Sequence, residues 1–189
     1  MADVTAAKIG NTTLELVQGD ITKQAVDAIV NAANSALAGG GGVDGAIHRA
    51  AGRELREELK GKSCPTGEAR ITKGYRLPAK YVIHAVGPIY YEAGAKAPEL
   101  LRGAHTYSLK LAQEHELKSL AFAAISTGVY GYPLDKAAPV ALNAVADYIN
   151  ENQPDFELVR FVLFDSKAMN AFSLALSTLI TKRDDVTSA

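Results

Sequence analysis

The sequence predicts an α/β protein with a largely parallel sheet. Four short apolar runs rich in Val, Ile, Phe or Tyr are typical of strands covered on both faces, and they span residues 28–30, 81–86, 120–125 and 158–164. Helical patterns separate these runs. Strands that alternate with helices pair in parallel, with helices on both faces of the sheet and a ligand crevice at the carboxyl ends of the strands.

The edge of the sheet is predicted from weaker patterns. Residues 4–9 and 13–17 flank Gly10-Asn11-Thr12 and alternate in polarity, which indicates a hairpin. Residues 69–72 are a candidate for one more strand.

Two helices are predicted in the first two thirds of the chain. Apolar residues recur every four positions from Val43 to Leu59, which predicts one continuous helix with a single buried stripe. Pro98 opens the next helix, because proline near a first turn lacks only an N–H that has no partner there.

Two further helices complete the predicted fold. Asp135 is expected to cap a helix with Pro139 in its first turn, and the apolar spacing over residues 168–179 predicts the last helix. No repeat or linker divides the chain. The prediction is therefore one domain over residues 1–181, followed by a flexible tail over 182–189.

Composition narrows the classes of function. The chain has 189 residues, a formal net charge of −1 and no Trp, which argue against nucleic-acid binding. The longest apolar run is far shorter than the roughly 20 residues that cross a bilayer, and Asp3 stands where a secretory signal would be basic. Cys64 is the only cysteine, so no internal disulfide forms and a cytoplasmic location is favoured.

Residues 31–48 form the most informative segment. Four consecutive glycines, Gly39 to Gly42, lie between an apolar strand and a helix, although glycines cost backbone entropy and add nothing to a core. A ligand close to this backbone would explain them. The spacing of Gly40, Gly42 and Gly45 also fits G-x-G-x-x-G, but a dinucleotide-binding motif directly follows its strand and this one does not.

A second glycine-containing loop is a candidate phosphate site. It directly follows the apolar run that ends at Ile125, and its sequence is Ser126-Thr127-Gly128-Val129-Tyr130-Gly131. Successive amides in such a loop can point at one anion. An ordinary strand-to-helix connection is the alternative.

Asp44 and His48 are candidate reactive side chains on one helix face. Asp44 stands at the start of the helix, where it could be an N-cap or could orient a water molecule. His48 follows one turn later, and a structural histidine is the alternative. No metal site is predicted, because the spacing completes no ligand set with the other thiol and imidazole side chains, Cys64, His84, His105 and His115.

Other polar and aromatic residues have two interpretations each. Asn34 could bond its own turn or exchange hydrogen bonds with a sugar hydroxyl, and Asp20 could cap a short helix or accept from the amine of a base. Tyr130 and Phe164 could stack on a ring or belong to the core.

Several ordered motifs together resemble the macro domain family, and within it the MacroD-type bacterial O-acetyl-ADP-ribose deacetylases. The likeness runs from about Leu14 to about Leu179. It rests on Gly19-Asp20-Ile21-Thr22, Val30-Asn31-Ala32-Ala33-Asn34, the segment 39–52, Cys64-Pro65-Thr66-Gly67, His84-Ala85-Val86-Gly87-Pro88 and the segment 125–133.

The resemblance implies a three-layer α/β/α sandwich with a mixed central sheet and an ADP-ribose cleft at the strand ends. By position, Asp20, Ile21 and the looser match Phe164 would contact adenine. Asn34 would hold the distal ribose, and Asp44 would place the attacking water with support from His48. The diphosphate and that ribose would be enclosed by two loops, comprising Gly42, Val43, Asp44 and Gly45 in the first and Ser126, Thr127, Gly128, Val129 and Tyr130 in the second.

The implied reaction is hydrolysis of an ester at the distal ribose, without a metal or redox cofactor. The substrate would be O-acetyl-ADP-ribose, or mono-ADP-ribose on acidic side chains of a protein partner. The attacked carbon, acyl or anomeric, stays open. The alternatives are a non-catalytic module that binds ADP-ribose and, less favoured by the neutral charge, a nucleic-acid-binding domain.

Overall fold

A computed structural model describes residues 3–189 of the chain, and within this range eight strands form one mixed sheet. The strands lie in the spatial order β4-β5-β3-β6-β7-β2-β1-β8. Their bounds are β1 (Ala6–Ile9), β2 (Thr12–Gln18), β3 (Ala28–Ala32), β4 (Ala69–Lys73), β5 (Tyr81–Ala85), β6 (Ser119–Phe122), β7 (Leu158–Leu163) and β8 (Thr187–Ser188).

Six α-helices surround the sheet within the described residues. They are α1 (Gly42–Ala51), α2 (Arg53–Leu59), α3 (Tyr90–Ala93), α4 (Ala97–Glu114), α5 (Leu134–Asn152) and α6 (Ser166–Lys182). Two short 3-10 helices cover Ile21–Lys23 and Gly94–Lys96. None of the helices described in residues 3–189 combines the length and the apolar character needed to cross a membrane.

The five central strands, β5, β3, β6, β7 and β2, are parallel to one another, whereas β4 pairs antiparallel with β5 on one side and β1 and β8 continue antiparallel from β2 on the other. The carboxyl ends of the five parallel strands therefore lie at one edge of the sheet. This edge is where the predicted site residues should be found.

Alternation along the central strands builds a core on each face of the sheet. In β3, Val30 packs into the larger core with α4, α5 and α6, while Ile29 packs into the smaller one with α1 and α2. Both are fully buried, which explains why the strand reads as a continuous apolar run. The predicted three-layer α/β/α sandwich with a mixed sheet is confirmed.

The continuous helix predicted from Val43 to Leu59 is wrong. The chain turns at Gly52, whose φ of +91° separates α1 from α2, although Leu55 and Leu59 continue the buried stripe on the second helix. The apolar run 120–125 also shortens, since β6 ends at Phe122 and residues 123–125 lead into the next loop.

Asp135 does not cap α5. The helix begins at Leu134 with Pro133 as its N-cap, so Asp135 is an exposed residue of the first turn and Pro139 lies inside the helix rather than in that turn. Acidic side chains near a helix N-terminus still interact favourably with its dipole.

The tail predicted to be flexible over residues 182–189 instead returns to the sheet. Val186 is buried, Arg183 donates to Asp147 and Asp185, and Thr187–Ser188 pairs with β1. The prediction of one domain over residues 1–181 stays a prediction, and its first two residues lie outside the described range.

Candidate functional site

The predicted site residues follow four neighbouring parallel strands at their carboxyl ends. Asn34 follows β3, the loop 126–131 follows β6, Phe164 follows β7, and Asp20 follows β2. Since these strands are adjacent in the order β3-β6-β7-β2, the four groups form a row along one edge of the sheet.

The loop after β3 is held by the side chain of Asn34. Its amide Nδ2 donates to the carbonyl of Gly39 at 2.9 Å, and its Oδ1 accepts from the Ala38 N–H at 3.2 Å. The local interpretation of Asn34 therefore applies, yet the amide retains a second hydrogen and a second lone pair.

Glycines are required where this loop meets α1. A Cβ on Gly45 would lie 2.4 Å from the carbonyl oxygen of Gly40, which is much closer than any real contact. Gly41 is the N-cap of α1 and provides no side-chain cap, so the N–H groups of the first helical residues, Gly42 and Val43, keep no partner inside the helix. These amides and the helix dipole favour an anion in front of the loop.

Asp44 is the third residue of α1 and not its N-cap. It is 7% exposed, and its Oδ1 accepts from Asn31 Nδ2 at 2.8 Å and lies 3.4 Å from His48 Nε2. The other oxygen points to the loop, since a Cβ on Gly40 would be 3.5 Å from Asp44 Oδ2 and 3.8 Å from Asn34 Nδ2. Asn34 and Asp44 thus flank the same point.

Behind Asp44, a chain of buried polar groups runs across the sheet. Asn31 Nδ2 lies 3.4 Å from His84 Nδ1, and His84 Nε2 lies 3.0 Å from Thr72 Oγ1. Burial lowers the pKa of His84 to about 3, so the ring is neutral at pH 7. Because the Asn31 amide can only donate, Nδ1 accepts and the ring proton sits on Nε2, where it donates to Thr72.

Sequence reasoning did not identify Asn31, His84 or Thr72 as part of the site. The available signal was a polar residue inside an otherwise apolar central strand, as Asn31 is in β3 and His84 is in β5. Buried polar groups of this kind almost always have a partner, and that partner is a candidate for function.

His48 is buried beside Asp44. Burial lowers the pKa of His48 below its usual value, and the Asp44 carboxylate only partly opposes this effect. Its Nδ1 is buried without a partner among the described residues. A neutral imidazole next to Asp44 can support that side chain without neutralising its charge.

The loop after β6 has amides that are free to bind. The N–H groups of Gly128, Val129 and Tyr130 make no hydrogen bond within residues 3–189, while the Tyr130 carbonyl accepts from the Tyr90 N–H at 2.9 Å. Ser126 adopts a φ of +68° and buries its Oγ without a partner in the described chain. Strained backbone with free donors is common where a loop holds a ligand.

Tyr130 is a half-buried residue of the loop after β6. Burial raises the pKa of its hydroxyl, and the Asp44 carboxylate raises it further. The hydroxyl therefore lies within the field of Asp44. Thr127 is fixed by its own hydroxyl, which donates to the Ala124 carbonyl at 2.8 Å, and Val129 is fully exposed.

At the other end of the row, Asp20 is a helix cap with one oxygen to spare. Oδ1 accepts from both the N–H and the hydroxyl of Thr22, at 2.9 and 2.7 Å, and these bonds lower the pKa of Asp20. Oδ2 has no partner among the described residues. Ile21 is buried, whereas Phe164 is 84% exposed and does not belong to the core.

Within residues 3–189, no three His, Cys, Asp or Glu side chains gather closely enough to hold a metal ion. Cys64 is buried and burial raises the pKa of its thiol, so it is a poor nucleophile.

Comparison with known proteins gives consistent results. The Macro domain family model matches residues 30–141. A macro domain-containing protein of Methanosarcina mazei is 48% identical over 168 residues, which cover 88% of this chain and 89% of the relative. ADP-ribose glycohydrolase MACROD1 of Bos taurus is 51% identical over 164 residues, which cover 86% of this chain and 50% of that protein.

Solved structures are similar over nearly the whole chain. The Oceanobacillus iheyensis macrodomain with ADP has a TM-score of 0.89 at 44% identity and covers 95% of this chain and 97% of its own. The Trypanosoma brucei macrodomain in complex with ADP-ribose has a TM-score of 0.80 at 42% identity, and the match covers 86% of this chain and 68% of that chain.

Proposed function

The chain belongs to the macro domain family, and we propose that it binds ADP-ribose and hydrolyses an ester bond at the distal ribose. The observation that carries this proposal is the order of groups along the sheet edge. The Asn34 amide and the Asp44 carboxylate stand after β3, free amides after β6, and an exposed aromatic ring and a second carboxylate after β7 and β2.

That order matches the order of parts in ADP-ribose, which are ribose, diphosphate and adenosine. Three strand spacings of about 4.8 Å separate β3 from β2, or roughly 14 Å. An extended nucleotide can span such a distance. Relatives support the same ligand, since the similar Trypanosoma brucei macrodomain was solved with ADP-ribose.

Each end of the nucleotide meets suitable chemistry. Asp20 Oδ2 can accept from the exocyclic amine of adenine, with the Ile21 amide beside it and the Phe164 ring against the base. The free amides of the two loops, in Gly42 to Asp44 and in Gly128 to Tyr130, can bind the diphosphate without a lysine. This arrangement suits a chain with a net charge of −1.

The proposed reaction uses Asp44 to place a water molecule. Asn31 occupies Oδ1, so Oδ2 is the oxygen left to hold the water near the ester, while Asn34 positions the ribose and His48 supports Asp44. The water oxygen attacks the electrophilic carbon while a proton of the water passes to Asp44 or to a phosphate oxygen of the substrate. The ester C–O bond then breaks, and this proton is returned to the departing oxygen. The products are ADP-ribose and a carboxylic acid.

Substitution of Asp44 tests this proposal. Asp44→Ala should reduce turnover of O-acetyl-ADP-ribose, and of a mono-ADP-ribosylated protein, by about 100-fold or more, as loss of a positioned acid or base does. Binding of ADP-ribose measured by calorimetry should persist, because the free amides remain. Asp135→Ala removes an exposed first-turn carboxylate of another helix and is the matched control.

Other outcomes separate the alternatives. Equal turnover in Asp44→Ala would refute the role of Asp44. Binding of ADP-ribose without turnover by the unmodified protein would identify a module that only reads the nucleotide. Reaction in ¹⁸O-labelled water places the label in the released acid if the acyl carbon is attacked, and in ADP-ribose if the anomeric carbon is attacked.

A further inference from the structure

A cavity of about 300 Å³ lies between the loop after β3 and the helices α1 and α2. Its charged lining consists of Arg49, Arg53 and Arg56, and no acidic residue lines it. Gly40 and His48 form the wall that it shares with the surroundings of Asp44.

The cations of this cavity are largely uncommitted. Arg49 and Arg56 form no ion pair or side-chain hydrogen bond within residues 3–189, and Arg53 approaches Glu57 only at 4.0 Å with both side chains well exposed. Two carboxylates lie behind its walls, since a Cβ on Gly52 would be 3.0 Å from Glu54 Oε2 and a Cβ on Gly40 would be 3.5 Å from Asp44 Oδ2. The cavity therefore presents net positive charge in a chain whose overall charge is −1.

Two of the guanidinium groups lie against glycines, one in the first turn of α1 and one in the loop that precedes this helix. Arg49 Nη1 is 3.1 Å from the position of a Cβ on Gly45, and Arg56 Nη2 is 3.1 Å from that of a Cβ on Gly39. Buried in the same wall is the unpartnered Nδ1 of His48. The glycines let the arginines approach the backbone that separates this cavity from Asp44.

We propose that this arginine cavity binds carboxylate side chains of the acidic polypeptide from which the enzyme releases ADP-ribose, an assignment that rests on the function proposed above. The ester joins the distal ribose to the polypeptide, so residues next to the modified side chain must leave the site close to Asp44 and Gly40. The cavity is separated from that point by the thickness of one loop. Planar guanidinium groups bind carboxylates through two parallel hydrogen bonds.

An acidic peptide fits this surface better than a nucleic acid does. The formal net charge of −1 gives the chain no overall positive field of the kind that attracts a phosphate backbone, so the three guanidinium groups are better matched to a few carboxylates. The cavity would therefore select among protein substrates by the acids that flank the modified residue.

Fluorescence anisotropy with labelled peptides tests the assignment on the full chain with saturating ADP-ribose. One peptide carries Asp and Glu around a central Glu, and the other carries Asn and Gln at the same flanking positions. The acidic peptide should bind about 10-fold more tightly, as expected for two exposed charge pairs, and this preference should decrease as salt is added.

Variants then locate the binding site. Arg49→Gln/Arg56→Gln should abolish the preference for the acidic peptide, whereas Lys110→Gln/Lys182→Gln, which removes two exposed charges elsewhere, should retain it. Equal affinity for the two peptides, or equal loss in both double variants, would overturn the proposal. Equal competition by single-stranded RNA would make the cavity a general polyanion site and would also overturn it.

Calorimetry with ADP-ribose on the same preparations tests the proposed function separately. If ADP-ribose binds with normal heat but the protein shows no preference for the acidic peptide, the proposed nucleotide site is supported and only the proposal for the arginine cavity is refuted. If calorimetry shows no heat of ADP-ribose binding, the proposed function is refuted. Peptide binding measured without ADP-ribose would then still test whether the arginine cavity prefers acidic peptides.

Discussion

At the residue scale, the two oxygens of Asp44 have different roles. Oδ1 is fixed by Asn31, which is fully buried and in turn reaches His84. Oδ2 has no hydrogen-bond partner within residues 3–189 and lies on the side of Asn34 and Gly40. The carboxylate therefore keeps one orientation, which is what placing a water molecule requires.

His84 is expected to act on catalysis through Asn31. His84→Leu removes the acceptor of one Asn31 hydrogen, so the amide can rotate and Asp44 loses its fixed orientation. At metal sites, loss of a hydrogen bond that orients a ligand costs about 10- to 100-fold, and by analogy we expect about a 10-fold decrease in kcat with an unchanged affinity for ADP-ribose. Steady-state kinetics and calorimetry measure the two quantities.

His105→Phe is the matched control for this prediction. His105 is also fully buried, but it packs against Phe122 and Phe161, away from the row of site residues. It should leave kcat unchanged. A kcat for His84→Leu that equals that of the control would show that the buried polar chain only stabilises the fold.

The sequence was informative about residues that face a loop and less so about residues that face the core. Asn34, Asp44 and His48 stand in or beside a run of glycines that is unusual for a plain connector, so the sequence alone indicates them as candidates. Asn31 and His84 face one another across neighbouring strands, in a register that pairs them directly. Such a pairing depends on tertiary structure, and one strand read alone does not reveal it.

At the element scale, periodicity found the helices but missed their ends. The stripe from Val43 to Leu59 continues across Gly52 because both helices pack on the same face of the sheet. The turn between them needs a positive φ, and only the glycine itself signals it. Pro139 was similarly assigned to a first turn, although α5 begins earlier and includes it.

The start of α1 offers a test of how closely the loop must approach the helix. Gly45→Ala would gain about 1 kcal/mol from helix propensity. The new Cβ would meet the Gly40 carbonyl at 2.4 Å, and overpacking typically costs about 1–3 kcal/mol. Because the clash involves backbone, we expect the clash to prevail, with a lower melting temperature and a displaced loop.

Displacement of this loop should weaken catalysis more than stability. A shift of about 1 Å in a positioned group can cost about 100-fold in kcat/KM, which the variant should approach. Gly41→Ala is the structural control, since its Cβ would meet nothing within 4 Å and its φ is −90°. A melting temperature for Gly45→Ala equal to that of Gly41→Ala would contradict the steric requirement.

At the scale of the whole molecule, the sequence predicts the parallel order of the central strands but not the edge strand β8. Alternating strands and helices imply a parallel centre, and the adjacency of the site residues follows from it. The last strand has only two residues, Thr187–Ser188, in a polar segment without periodicity. Its pairing with β1 is set by distant parts of the fold, including the Arg183 contact with Asp147.

Buried histidines should make the whole fold sensitive to acid. Burial lowers the pKa of His84 to about 3 and that of His105 to about 4, from an ordinary value of 6.5. Between the lowered pKa of each histidine and pH 6.5, the unfolded chain binds a proton that the folded chain does not. The free energy of unfolding therefore rises with pH in this window. The stabilisation is complete above pH 6.5 and is lost as the pH falls.

His105→Phe isolates one of these contributions. From pH 6.5 to pH 5, each buried histidine costs about 2 kcal/mol, since one pKa unit corresponds to about 1.4 kcal/mol. Urea unfolding at pH 7 and pH 5 should therefore show a difference about 2 kcal/mol smaller in His105→Phe than in the unmodified protein. The phenyl ring can keep the stacking with Phe122 and removes an Nε2 that has no partner within the described residues.

His115→Phe is the control, because it resembles His105 in all but burial. Both rings place Nδ1 near the carbonyl four residues earlier, at 2.8 Å for His105 and 2.9 Å for His115, but His115 is exposed. Lowered carboxyl pKa values, such as those of Asp20 and Asp27, act only below about pH 3.8 and do not enter this window. If His105→Phe and His115→Phe both lose as much stability between pH 7 and pH 5 as the unmodified protein does, protonation of His105 does not cause the loss of stability in acid.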